Sequence, residues 1–120
     1  MPQVNKLNPR VTIWSRCREW NQTKLRRDFE LSMLDEDDDE GTARIIDLAD
    51  ATMDDIEAAL IEQARTMTSV DDAQALLGIA LAIFREDGFD PDGRVQALIK
   101  AVRYGLNGVR NACNRAAEAA

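Results

Sequence analysis

The side chains with the clearest chemical potential are four carboxylates, Asp47, Asp50, Asp54 and Glu57, spaced 3, 4 and 3 residues apart. Within one helix such steps keep all four on one face. Carboxylates grouped in this way can offer oxygen ligands to Mg²⁺ or Mn²⁺ and hold the ion against a nucleotide phosphate. They can equally lie against a cationic surface, internal or brought by a partner. Like charges at this spacing cost a helix about 0.2–0.5 kcal/mol per pair, so a compensating cation is expected. The internal candidates are Arg16, Lys24, Arg26 and Arg27 near the start of the chain, or Lys100, Arg103 and Arg110 near its end. Just upstream, Asp35, Glu36, Asp37, Asp38, Asp39 and Glu40 form an unbroken run of acids that stops at Gly41.

Other chemistries lack their residues. There is no histidine, which removes the commonest general base, the commonest transition-metal ligand and every Ser-His or Cys-His nucleophile. Cys17 and Cys113 are too far apart in sequence for a metal-ligand spacing and read as two free, mostly buried thiols. "DGFDPDG" (87–93) suggests a calcium loop, but with Gly93 at the sixth position the first and twelfth fall on Gly88 and Ile99, where carboxylates are needed. "EDDD" (36–39) or "DLAD" (47–50), with "DDIE" (54–57), resemble the acidic ExxE and ExxD helical motifs of the all-helical, magnesium-dependent nucleotide pyrophosphohydrolases of the MazG kind. The resemblance covers about 22 residues, with aspartate mostly in place of glutamate. It implies Mg²⁺ as cofactor, with Asp47, Asp50, Asp54 and Glu57 as its ligands.

Charge is distributed unevenly around the net value of -7. Residues 1–27 hold seven bases against Glu19 alone, residues 28–92 hold twenty acids against three arginines, and residues 93–120 hold five bases against Glu118. Two basic rows could touch nucleic acid: Arg16, Trp20, Lys24 and Arg27, and Lys100, Arg103, Asn107, Arg110 and Asn114. The net negative charge opposes that use. Both tryptophans read as buried anchors.

The elements expected to position these groups are all helical. One helix should open at Asn8 and Pro9 and run to about Leu34, its apolar row being Val11, Trp14, Cys17, Leu25, Phe29 and Met33. Residues 35–42 are expected as an acidic loop. A second helix carries the stripe Ile45, Ala49, Met53, Ile56, Leu60, Ala64 and Met67, with a competing break at Thr52. A third opens at the Ser69 cap, closes at Gly88 and is apolar on nearly every side, which predicts a central position or a subunit interface. The fourth, about 91–117, starts from Asp90 and Pro91 and carries a row of small residues: Ala97, Ala101, Gly105, Gly108 and Ala112. Those residues predict close packing against another helix or a second copy.

The expectation is a single all-α domain over residues 1–120, a bundle of about four helices and a candidate dimer, with 1–10 a candidate disordered lead. No run is long and apolar enough to span a bilayer, and no signal peptide is recognisable, so the cytoplasm is the expected location. The leading function is non-enzymatic binding of another protein, as adaptor, assembly chaperone or inhibitor. The acidic face of Asp35–Glu40, Asp47, Asp50, Asp54 and Glu57 would meet a basic partner. A magnesium-dependent phosphohydrolase is the alternative, and nucleic-acid binding the second.

Overall fold

The computed structural model describes residues 11–88, 90 and 92–119. Four helices account for nearly all of them: α1 (Ile13–Ser32), α2 (Asp39–Gln63), α3 (Val70–Asp87) and α4 (Arg94–Ala119). A 3₁₀ turn, Ala64–Thr66, extends the end of α2. No strand occurs among the described residues. The all-helical bundle expected from the sequence is therefore observed.

Each helix begins where a side chain can accept from its first free amides. The Thr12 hydroxyl accepts from the Ser15 amide at 3.0 Å, starting α1. The expected cap at Asn8 and Pro9 lies outside the described residues, as does Pro91. The Asp38 carboxylate accepts from the Gly41 amide at 2.9 Å, so α2 starts inside the acidic run. Helix therefore replaces the second half of the loop expected over 35–42. Asp39 and Glu40 in its first turn complement the positive end of the helix dipole, which offsets their mutual repulsion. The Ser69 hydroxyl caps α3 by accepting from the Asp72 amide at 3.3 Å. Gly88, at φ 79°, closes α3 in a left-handed conformation that side chains resist. Asp90, the expected cap, accepts from the amides of Val95 and Gln96, both at 3.0 Å, but α4 starts at Arg94, later than the expected 91.

α2 does not break at Thr52, whose hydroxyl donates to the Leu48 carbonyl one turn back. Its stripe Met53, Ile56, Leu60 and Ala64 is buried as the spacing predicts. α1 packs on α2 and α3, α3 packs on α4, and the 3₁₀ turn packs on α4. The core comprises Ile13, Cys17 and Trp20 of α1 with that stripe, Leu76, Ile79 and Ile83 of α3, and Val95, Leu98 and Val102 of α4.

Two expectations about faces are corrected. The row Trp14, Leu25, Phe29 and Met33 lies outside the core, at 60–71% exposure. α1 instead turns Ile13, Arg16, Cys17 and Trp20 inward, because the polar heads among them find partners there. Of the two placements expected for α3, the central one is not met within the chain: Leu77, Leu81 and Phe84 stay partly exposed beside its buried side. Along α4, Ala101 and Gly105 are buried and Ala97 is half-buried, whereas Gly108 and Ala112 face open space. From Arg110 onward every described residue is exposed, so the last turns of α4 extend beyond the bundle.

Candidate functional site

The acidic row splits on folding. Asp47, Asp50 and Asp54 are exposed on α2, together with the whole run Asp35–Glu40. Glu57, expected on the same partner-facing surface, is only 6% exposed. The reason is its register: Glu57 follows Met53 by four residues and precedes Leu60 by three, so it shares their inward face. Its charge is satisfied from two other helices. The Trp20 indole Nε1 of α1 donates to Glu57 Oε2 at 2.9 Å. Arg94, the first residue of α4, donates from Nε to Oε1 at 3.0 Å and from Nη2 to Oε2 at 2.6 Å. Such two-point pairing of a guanidinium with a carboxylate is both strong and directional. The hydrogen bond to Glu57 is the main force holding the Arg94 guanidinium protonated beyond its ordinary range.

Arg94 is thus the cation that the crowded carboxylates called for, and the sequence reading did not single it out. Its place directly after "DPDG" drew attention only as a helix start. The available signal was the phase of Glu57 within the apolar stripe, which requires an inward-reaching base. Asp54 carries the residual strain: burial, then Glu57, pushes its carboxyl above the ordinary range, with Arg94 acting against them.

The basic row of α1 is absorbed internally. Arg16 donates from Nε to Gln63 Oε1 at 2.8 Å, and Gln63 Nε2 donates to the Val11 carbonyl at 2.6 Å. Arg27 bridges Asp28 at 3.0 Å and Glu86 of α3 at 2.9 Å, and Lys24 pairs with Asp28 at 3.3 Å. Trp20 is buried as expected, but Trp14 is exposed and stacked beneath the Arg18 guanidinium at 5.6 Å. The second basic row, Lys100, Arg103, Asn107, Arg110 and Asn114, is exposed along α4.

A cavity of about 400 Å³ opens between the helices above the Trp20–Glu57–Arg94 contact. Leu31, Ile46, Met53 and Ile83 supply apolar wall, while Asp28, Asp50, Glu86, Asp87 and Asp92 supply carboxylates beside Arg27 and Arg94. These acids surround a space rather than converge: among the described residues no group of three or more acidic or cysteine side chains is close enough to hold a metal ion. Glu57, the fourth member of the expected Mg²⁺ set, is committed to Arg94. The Cys17 thiol is buried, which pushes it up to about 12, whereas Cys113 is exposed on α4.

No described helix is long and apolar enough to cross a membrane. No protein-family model, curated protein or solved structure matches the chain.

Proposed function

We propose that this is a binding protein, whose exposed acidic surface from Asp35 to Asp54 meets a basic surface on another protein. One observation carries the reading. Among the described residues, no ion pair engages Asp35, Glu36, Asp37, Asp39, Glu40, Asp47 or Asp50, whereas Asp28, Glu57 and Glu86 are paired. A field left uncompensated in this way steers a basic partner into register and raises the association rate more than the affinity. The exposed apolar row of α1, from Trp14 to Met33, adds contact area of the kind found at protein interfaces. An adaptor, an assembly chaperone and an inhibitor all fit this description. Self-association is the finer part of the proposal: Gly108 and Ala112 offer a smooth strip of α4 to a second copy.

The test is a triple charge reversal, Asp37→Lys, Glu40→Lys and Asp47→Lys, compared with the parent chain in cross-linked pull-downs at low and high salt. Far-ultraviolet circular dichroism should match the parent, since all three positions are exposed. Partners held by the parent should be lost from the variant and weakened by salt. An identical partner set from both chains would sink the reading. Sedimentation over a hundredfold concentration range checks self-association.

A further inference from the structure

We propose that the cavity between the four helices binds an aliphatic cation, and that its occupant is a lysine or arginine side chain of the basic partner. The proposal rests on the acidic-surface reading above and adds the point at which one partner residue anchors. Its two arginines are already matched, Arg27 by Asp28 and Glu86, and Arg94 by Glu57 with Asp87 at 4.0 Å. Asp50 and Asp92 then remain, with no described hydrogen bond or ion pair, and leave the space net negative. An anion would meet that excess charge while both guanidinium groups already face carboxylates. A bare metal ion would lack three converging ligands among the described residues. A long cation fits this lining: its charged head reaches Asp50 and Asp92, and its methylene stem lies on the half-buried Leu31 and Ile46, with Met53 and Ile83 forming the floor behind them.

Size agrees with a single side chain. About 400 Å³ stands near the lower end of the roughly 300–1,000 Å³ typical of ligand pockets. That volume admits one extended chain with some water, not a folded segment.

Trp20 lines the cavity, and the other tryptophan, Trp14, lies in a separate groove beside Gln74 and Gly78. In a Trp14→Phe chain, fluorescence therefore reports on the cavity alone. Three probes are titrated at ionic strength fixed with NaCl: N-acetyl-lysine amide, cadaverine and a lysine-rich decapeptide. A saturable change is expected with all three, its midpoint shifted at least about tenfold by Asp50→Asn with Asp92→Asn. A response that fails to saturate, is matched by NaCl, or survives the double substitution overturns the proposal. Cadaverine binding without either lysine probe would make this a free-amine site and overturn the assigned occupant. Decapeptide binding that depends on Asp37, Glu40 and Asp47 but not on Asp50 and Asp92 overturns the pocket and leaves the acidic-surface reading standing. Binding of N-acetyl-lysine amide lost on the double substitution, with decapeptide binding indifferent to the outer acids, does the reverse.

Discussion

A carboxylate taken out of water keeps its charge only when other donors replace the water, and Glu57 has three: the Trp20 indole and two nitrogens of Arg94. Removing one partner of a buried pair usually costs about 3–5 kcal/mol. Because the Arg94 side chain keeps 29% of its surface, Arg94→Ala should cost about 2–4 kcal/mol in urea unfolding. Glu57→Leu with Arg94→Met should recover only part of that loss: no orphaned charge remains, but the buried Trp20 indole N–H loses its acceptor. The row Asp47, Asp50, Asp54 and Glu57 was legible in the sequence as a row. That its last member belongs to the core is carried by phase and not by charge, since Glu57 shares the inward face of Met53 and Leu60. The buried thiol makes a second prediction. Cys17 ionises near 9 when unfolded but stays protonated to about 12 in the fold. The unfolded state is therefore favoured progressively as pH rises from about 9 to about 12, and stability should fall across that window. Cys17→Ala should flatten the fall. A chromogenic disulfide reagent should label Cys113 at once and Cys17 only after denaturation.

At the scale of the elements, two glycines on α4 that look alike in sequence have opposite surroundings. A Cβ on Gly105 would lie 2.7 Å from the Met67 sulfur and 2.9 Å from the Ala64 carbonyl oxygen. The thioether could move aside, but the backbone of the 3₁₀ turn could not. Gly105→Ala should therefore destabilise the fold by about 1–3 kcal/mol. A Cβ on Gly108 meets nothing within 4 Å, so Gly108→Ala should stabilise it by about 0.5–1 kcal/mol through helix propensity alone. Paired thermal melts would show shifts of opposite sign. The helix starts at Ser69 and Asp90 and the stop at Gly88 were legible because caps are local chemistry. The inward face of α1 was not. Its apolar row Trp14, Leu25, Phe29 and Met33 keeps a helical period, yet Arg16 and Arg27 reach across to Gln63 of α2 and Glu86 of α3. Those contacts join residues as many as 59 positions apart, and periodicity within one helix carries no trace of them.

As a whole the molecule measures 65 × 33 × 20 Å, with a radius of gyration of 16.8 Å, against about 13–14 Å for a compact domain of this length. The last turns of α4 contribute to that elongation without entering the core, and their alanines sustain the helix by propensity. Truncation after Asn111 should accordingly leave the melting temperature within about 2 °C of the parent. The four-helix architecture was legible because it needs only periodicity and caps. The splitting of the charges into paired and unmatched sets was not, since it depends on which helices meet. The bond between Trp20, Glu57 and Arg94 also has a meaning in time. Its three members are separated by 37 residues at each step, and the chain is made from its N-terminus. At roughly 5–20 residues per second, Glu57 waits about 2–7 s on the ribosome before Arg94 is even synthesised. During that interval the first two helices carry a carboxylate with no counter-charge at its final station, which favours leaving the hairpin open. The fourth helix thus supplies the last counter-charge of the interior, and closure around Glu57 is favoured only after α4 has begun.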